Sequence, residues 1–204
     1  LLRPIESKGG DRITATIKSF YEEHPFPSYE GLEEFGSLVN RGQQSPLAGP
    51  LLNAIGYNKR VLECGCGTGQ MTNFLSLGNN HVLGIDLSRS SLKLALEHKL
   101  RNGLDRVAFA QMNIFDLAIK DGTFDVVVST GVLHHTKDAR AAFASIVRKV
   151  KPGGVVVVGL YNSFARVPTA VRARLIKLLG PNIDPVVRKR IRDARKADIW
   201  IKDQ

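Results

Sequence analysis

The sequence is poor in cysteine. Its two cysteines among 204 residues, Cys64 and Cys66, are separated by a single residue. Cysteines this close cannot build a disulfide framework, and they lack the spacing and the partner ligands of a zinc finger. We therefore expect no metal site, and we expect both thiols to pack in or beside their own loop in a reducing compartment.

Long apolar runs are also missing. The longest, Val155 to Tyr161, is far shorter than the roughly 20 residues that cross a bilayer, and it predicts a buried strand. No membrane span is expected. The first residues, Leu1-Leu2-Arg3-Pro4, include neither an initiator Met nor a secretory apolar segment. A cytoplasmic location is expected, with an upstream targeting segment left open.

Positive charge is in excess, and it is unevenly placed. The net charge is +10, and residues 163–204 alone carry eleven Lys/Arg against four Asp/Glu. Such a tail could contact RNA phosphates. However, its charges surround helical patterns with an apolar stripe and little aromatic interleaving beyond Trp200, which is typical of the solvated face of a packing helix. Nucleic acid is therefore not expected as a partner.

A glycine-rich loop follows an apolar strand pattern at Val61–Thr72. Gly65, Gly67 and Gly69 mark a tight turn that another molecule can approach closely. A dinucleotide fingerprint would need a third glycine at position 70, where the chain has Gln70. Glu63, near the end of the strand, would repel a pyrophosphate and attract a cation. The loop therefore favours a positively charged adenosine cofactor.

Strand and helix patterns alternate around this loop, which predicts a parallel sheet built from βαβ units. Strands are predicted at 60–64, 81–86, 107–111, 124–129 and 154–160, and helices at about 70–77, 89–101 and 138–149. Residues 151–154, Lys-Pro-Gly-Gly, are predicted to form the turn before the fifth strand.

The pattern Glu63-x-Gly65-x-Gly67-x-Gly69 resembles motif I of the class I S-adenosylmethionine-dependent methyltransferases, with further matches from about Arg60 to Tyr161. The resemblance implies a three-layer, Rossmann-like α/β fold with a mainly parallel sheet and S-adenosylmethionine as cofactor. That sheet usually has seven strands, ordered 3-2-1-4-5-7-6. After Tyr161 only helical patterns follow, so we expect the final antiparallel strand pair to be missing. The predicted divisions are a cover (1–55), a cofactor-binding core (56–162) and a basic helical segment (163–204).

The resemblance also assigns cofactor-binding residues. Asp86, at the end of the second strand, is predicted to bind both ribose hydroxyls, and the alternative is that it caps the following helix. Asn113 is predicted to accept a hydrogen bond from the adenine amino group. Asp116 is the alternative candidate for this role, but we expect it to bond to the backbone of its loop instead. Ile114 is predicted to pack on the adenine ring. The full predicted set is Glu63, Gly65, Gly67, Gly69, Asp86, Leu87, Asn113, Ile114 and Thr130.

The segment Phe124–His135 resembles the small-molecule branch typified by quinone methyltransferases. Residues Thr130–His135 should border the methyl group, because ligands lie beyond the carboxyl ends of parallel strands. His135, and less so His134, is a candidate general base, since histidine titrates near neutral pH; either could instead position the loop. The Asp/Asn-Pro-Pro-aromatic motif of nucleic-acid amino methylases is absent here, which disfavours methylation of adenine in nucleic acid.

The N-terminal part is predicted to cover the site. A helix capped by Asp11 should run to about Glu23, with Ile13, Ile17 and Phe20 on its apolar face. Residues 20–27 could close over the site, or could simply pack and turn. The stretch from there to about Gly49 is expected to be loop-rich, with a short helix at about 50–55.

The sequence thus predicts a methyltransferase that acts on a small-molecule acceptor. Two alternatives stay open: an RNA- or protein-directed methyltransferase that uses the basic tail, and a non-catalytic cofactor-binding partner subunit. An NAD enzyme is a weaker contender, because the glycine at position 70 is missing.

Overall fold

A computed structural model describes residues 12–29 and 34–160. The chain divides into two units, Leu1–Leu160 and Tyr161–Gln204, and the described residues all belong to the first. Their elements, in chain order, are α1 (Arg12–Glu23), α2 (Phe35–Gln44), α3 (Ala48–Ile55), β1 (Arg60–Cys64), α4 (Gln70–Leu75), β2 (His81–Asp86), α5 (Arg89–Arg101), β3 (Val107–Gln111), β4 (Phe124–Thr130), α6 (Ala139–Val147) and β5 (Val150–Gly159). Two short 3-10 turns lie at Ser76–Gly78 and Leu133–His135.

The five described strands form one sheet in the order β3-β2-β1-β4-β5, and every neighbouring pair is parallel. This arrangement confirms the predicted α/β class and the parallel sheet. The antiparallel pair expected to be missing would involve residues beyond 160, outside the described part of the chain.

Helices cover both faces of the sheet, as the alternation of side chains along each strand requires. Leu62, Ile85 and Val127 belong to one core cluster, which includes Ile146 of α6. Their strand neighbours Val61, Val82 and Val128 belong to a second cluster, which includes Leu51 and Ile55 of α3. The two clusters on opposite faces confirm the predicted three layers.

The strand order reverses between β1 and β4, so connections leave these two strands in opposite directions along the sheet. In open α/β sheets such a reversal opens a crevice at the carboxyl ends of the strands, where ligands bind. The glycine loop after β1 and the Thr130–His135 segment after β4 both lie at this edge.

The fifth strand differs from its prediction. β5 begins at Val150, so residues 151–154 lie inside the strand, where the pairing with β4 shifts between Phe124 and Val126. The predicted turn is therefore a bulge, with Gly153 at φ +78°. The expected burial is also wrong, because β5 is an edge strand of the described sheet and Val155 is 55% exposed.

The expected loop-rich stretch before Gly49 is wrong as well, because it contains helix α2. Two glycines within α2 weaken its local propensity, but Leu38 is buried and the ring of Phe74 fills the space beside Gly42. Tertiary packing thus stabilises the helix. By contrast, α1 has no buried residue, and Phe20 is 57% exposed. Of the helices in the described ranges, none is long and apolar enough to cross a bilayer.

Candidate cofactor site

Two carboxylates lie at the carboxyl ends of neighbouring strands. Glu63 is the fourth residue of β1, and Asp86 is the last residue of β2. The strands pair in parallel with Glu63 beside Gly84 and Cys64 beside Ile85. The register therefore brings both acidic groups to the edge where the crevice opens.

The glycine loop between β1 and α4 uses its own amide groups. The N–H groups of Gly65 and Cys66 both donate to Ile85 O, at 2.8 and 3.0 Å, and Gly69 N–H donates to Cys66 O at 2.9 Å. Gly67 N–H donates to Asp86 Oδ2 at 2.8 Å. Thr68 N–H donates to Phe26 O at 3.2 Å. The five successive amides of residues 65–69 are thus already bonded within the protein.

Contacts within the protein explain why each of the three loop positions is glycine. All three have positive φ, between +53° and +77°. A side chain at Gly65 would overlap Val132, one at Gly67 would overlap the carbonyl oxygen of Phe26, and one at Gly69 would meet the ring of Phe109. Contact of these glycines with a cofactor stays a prediction, and it would have to use the backbone surface that these neighbours leave open.

Glu63 is almost fully buried beneath the loop, at 5% exposure. The Thr72 hydroxyl donates a short hydrogen bond to Glu63 Oε2. Burial raises the pKa of Glu63 to about 7, the hydrogen bonds from Thr72 oppose this rise, and the charge of Asp86 adds to it. A carboxyl group that titrates near neutrality is ready to ionise when a cation arrives.

Asp86 joins the loop to the first turn of α5. Its Oδ2 accepts from Gly67 N–H, and its Oδ1 accepts from Ser88 N–H at 2.9 Å. Burial raises its pKa, against the hydrogen bonds from the amides of Ser88, Gly67 and Leu87. The capping alternative belongs to Ser88 instead, whose Oγ accepts from Ser91 N–H. A carboxylate has about four accepting positions, so Asp86 keeps accepting capacity beyond these amide bonds, as binding to ribose would require.

The cysteines beside these carboxylates are both free and buried, as predicted. Burial raises the pKa of the Cys64 thiol to about 12, and the charge of Glu63 adds to this rise. Burial also raises the pKa of Cys66 well above its ordinary value. Both thiols therefore stay protonated and chemically quiet at neutral pH.

The segment after β3 holds the predicted adenine residues. Asn113 Oδ1 accepts from Phe115 N–H at 3.0 Å, so Asn113 makes the backbone contact expected of Asp116. The Asp116 side chain is exposed. Ile114 is buried in the larger core cluster. Leu87, next to Asp86, accepts at its carbonyl oxygen from Gln111 Nε2 at 2.8 Å. The adenine roles of Asn113 and Ile114 stay predictions.

The loop after β4 carries the predicted methyl-proximal residues. Thr130 is the last residue of β4, and His134 and His135 lie in the 3-10 turn that follows. The two imidazole rings are 4.1 Å apart, tilted by 52°. Both side chains are half-buried. The turn thus brings two imidazoles to the carboxyl edge of the sheet. Val132, in the same segment, lies beside Gly65 of the glycine loop.

A segment that motif reasoning left undecided lies across the glycine loop. We call residues 24–29 the strap. Its backbone carbonyls at Pro27 and Ser28 accept from Thr68 Oγ1 at 2.6 Å and from Gln70 Nε2 at 2.7 Å. Tyr29 Oη donates to Thr68 O at 2.7 Å, and the Tyr29 ring stacks on His98 at 4.4 Å. In the sequence, only the cluster of aromatic and proline residues marks this segment. Such a cluster does not specify where the segment packs.

This geometry distinguishes between two classes of adenosine cofactor. A pyrophosphate needs free amides at a glycine loop and a helix N-terminus, and here the amides of residues 65–69 are occupied. A sulfonium and an ammonium group need negative charge, which Glu63 and Asp86 supply. The residues present therefore fit S-adenosylmethionine and do not fit a dinucleotide. In the described ranges, no three His, Cys, Asp or Glu side chains gather as a metal site requires.

Comparisons with known proteins agree with this geometry. Residues 62–158 match the family described as methyltransferase domain. A Synechococcus sp. uncharacterized protein is 30% identical over 83% of this chain and 42% of its own length. The ubiquinone biosynthesis O-methyltransferase of Methylococcus capsulatus is 34% identical over 60% of this chain and 49% of its own. The chain spans about half the length of these curated relatives.

The fold has solved counterparts. The PH0226 protein from Pyrococcus horikoshii OT3 superposes with a TM-score of 0.59 at 20% identity, over 76% of this chain and 71% of that one. At this identity the likeness concerns the fold alone.

Proposed function

Because the chain belongs to the class I S-adenosylmethionine-dependent methyltransferases, we propose that it transfers the methyl group of this cofactor to a small-molecule acceptor. The observation that carries the proposal is the pairing of a fully occupied glycine loop with two carboxylates, the buried Glu63 and the half-buried Asp86. Such an edge favours a cationic cofactor and disfavours a pyrophosphate.

The cofactor residues follow from this pairing. We assign the ribose hydroxyls to Asp86, whose carboxylate retains accepting capacity beyond its amide bonds. Glu63, together with the backbone of Gly65, Gly67 and Gly69, serves the amino-acid end, where an ammonium group would meet the buried carboxylate. Leu87, Asn113 and Ile114 enclose the adenine, and Thr130 lies toward the methyl group.

The acceptor would lie beyond the carboxyl end of β4. When bound, S-adenosylmethionine supplies a methyl group activated by its sulfonium, so the protein must mainly orient the acceptor and exclude water. The relative named as an O-methyltransferase makes a hydroxyl the first acceptor group to test. His135, or His134 beside it, would accept the hydroxyl proton as the oxygen bonds to the methyl carbon and the carbon–sulfur bond breaks.

Calorimetry and a transfer assay test this function together. The wild-type protein should release heat with S-adenosylmethionine and with S-adenosylhomocysteine, and should give none with NADH. Methyl-labelled cofactor should then label a compound from a panel of phenolic and other hydroxylated small molecules. Binding of NADH instead of S-adenosylmethionine would overturn the cofactor assignment.

The alternative acceptor classes have their own signature. An RNA-directed enzyme would bind polyanions with a steep dependence on salt concentration, because phosphate contacts release counterions. Transfer to RNA or to protein in the labelled assay, with no small molecule labelled, would replace the small-molecule acceptor. Tight cofactor binding with no transfer to any class would instead favour a partner subunit.

A further inference from the structure

The end of α1 contacts the start of α5 through one carboxylate. Glu22 Oε1 accepts from Arg89 N–H at 2.8 Å. Glu22 Oε2 accepts from Ser90 N–H at 2.9 Å and from Ser90 Oγ at 2.6 Å. A carboxylate at a helix N-terminus is stabilised by the helix dipole and by charge-assisted hydrogen bonds. Glu22 thus fixes α1 to α5 with three bonds.

These bonds are additional to the cap that α5 already has. Ser88 supplies that cap through its bond from Ser91 N–H, and its own hydroxyl donates to Tyr21 O at 3.0 Å. Glu22 reaches the amides of Arg89 and Ser90, which the Ser88 hydroxyl does not bind. Glu22 lies 67 residues before Arg89 and 68 before Ser90 in the chain. The contact therefore joins two distant segments, in addition to stabilising the start of α5.

The junction continues into the cofactor site at one end and into the strap at the other. Ser88 N–H donates to Asp86, the residue assigned to the ribose. Glu22 is also close enough for its charge to add to the rise in the pKa of Asp86 that burial causes. On the other side, the strap begins two residues after Glu22 and ends on Thr68 and Gln70.

We propose that Glu22 is a positioning residue for the cofactor: its carboxylate holds the strap closed across the glycine loop and so slows the escape of bound S-adenosylmethionine. The inference rests on the proposed cofactor site at Asp86 and the glycine loop. The strap is tethered at both ends, and Glu22 provides the charged tether at its amino end. Releasing that tether leaves the bond from the Ser88 hydroxyl to Tyr21 O between the end of α1 and the start of α5, and so loosens the strap while leaving Asp86 and the loop in place.

The adjacent residue provides a matched control. Glu23 has the same chemistry, lies in the same helical turn and is exposed. We would compare Glu22→Ala, Glu22→Gln, Ser90→Ala and Glu23→Ala with the wild-type protein. Dissociation of S-adenosylhomocysteine would be followed by stopped-flow displacement, and the thermal midpoint of each ligand-free protein would be measured alongside.

The expected dissociation rate rises about tenfold in Glu22→Ala and less in Glu22→Gln, which keeps the shape of the side chain. Ser90→Ala removes one of the three bonds and should raise the rate two- to threefold. Glu23→Ala should stay within twofold of wild type. Hydrogen exchange at the Thr68 amide, which donates to the strap, should accelerate in the Glu22 variants, less in Ser90→Ala, and not in Glu23→Ala.

Two results would overturn the proposal. In the first, Glu22→Gln and Ser90→Ala keep the wild-type dissociation rate, even if their thermal midpoints fall, which would leave Glu22 a purely structural contact. In the second, Glu23→Ala accelerates dissociation as much as Glu22→Ala. A wild-type protein that fails to bind either cofactor form would overturn this inference together with the proposed function, whereas normal wild-type binding with unchanged variants overturns this inference alone.

Discussion

The two edges of the sheet use acidic residues in opposite ways. At the amino edge, the hydrogen bond from Lys149 lowers the pKa of Asp121, and the hydrogen bond from Lys151 lowers that of Asp125. At the carboxyl edge, burial raises the pKa values of Glu63 and Asp86. The first pair is matched by cations of the protein, whereas in the second pair the charge of Asp86 adds to the rise in the pKa of Glu63.

The difference indicates what each edge is for. The amino edge is closed by contacts that stabilise the fold: Lys149 Nζ donates to Ile119 O and to Asp121 Oδ1, and Asp125 also accepts from Arg60 N–H. The carboxyl edge keeps two acidic groups in a state that a cationic ligand would relieve. A carboxylate whose ionisation is made costly by burial does not help a fold, so two of them at one edge point to binding.

The largest expected effect is on S-adenosylmethionine affinity, which should depend on the carboxyl edge of the sheet and not on the amino edge. Asp86→Ala should weaken S-adenosylmethionine binding at least about 100-fold, because two charge-assisted hydrogen bonds to ribose are each worth about 1.5–3 kcal/mol. Asp121→Ala, at the opposite edge, should leave the dissociation constant unchanged. Calorimetry on both variants checks the contrast, and equal affinities would remove Asp86 from the site.

A second comparison uses two glycines with positive φ. Gly67 is at φ +53° against the strap, and Gly122 is at φ +64° with open space beside it. Gly122→Ala should cost about 1 kcal/mol for the left-handed conformation alone. Gly67→Ala should cost about 2 kcal/mol or more, because its methyl group must also displace the Phe26 carbonyl.

Denaturant titrations measure the free energies of unfolding for both glycine variants. Limited proteolysis within the strap should be faster for Gly67→Ala only. Equal losses of stability and equal proteolysis would mean that the strap does not lie on the loop in solution.

Glu63, at the carboxyl edge, should make both the free energy of unfolding and the cofactor affinity depend on pH. Its pKa in the folded protein, about 7, lies above the ordinary value of 4.5, so the folded state holds its proton more tightly than the unfolded state does. The free energy of unfolding should therefore fall as pH rises from about 4.5 to 7. Since a bound cation favours the ionised form, S-adenosylmethionine affinity should rise between pH 6 and 8.

Glu63→Gln isolates this effect. At pH 8 the variant should bind the cofactor about tenfold more weakly than wild type, and at pH 6 the two should be nearly equal, because Glu63 is then largely protonated. Titration of the cofactor itself affects both proteins and cancels in their ratio. A ratio that is constant from pH 6 to 8 would contradict the role of Glu63.

The smallest expected effect lies at the amino edge. Lys149→Met removes the buried ammonium but keeps most of the apolar stem, so the net loss should be about 1 kcal/mol, or roughly 2–4 °C in Tm. Cofactor affinity should not change. A loss of affinity comparable to that of Asp86→Ala would show that the two edges are coupled.

Much of the sheet was predictable from the sequence. Four strands lie at their predicted bounds to within one residue, because each combines an apolar run with clear glycine or polar boundaries. β5 extends further, because Pro152 and Gly153 indicate a turn locally, whereas pairing with β4 holds them in a bulged strand. Helix α2 was missed for a related reason: its stability comes from packing against Phe74.

The candidate site was predictable only in part. The positions of Glu63, Asp86 and the three glycines follow from their place after β1 and β2. The sequence could not show that the loop amides are occupied, since their acceptors include Ile85 and Phe26, far apart in the chain. Nor could it distinguish Glu22 from Glu23, because that distinction depends on how α1 is rotated against α5.

The two buried thiols make the protein convenient for site-specific labelling. Cys64 and Cys66 are the whole cysteine content of the chain, and both are shielded and reluctant to ionise. A maleimide dye should therefore react far faster with a cysteine introduced at the exposed position Glu23 than with either native thiol. Fluorescence from that single site would report opening of the strap in an otherwise unaltered protein.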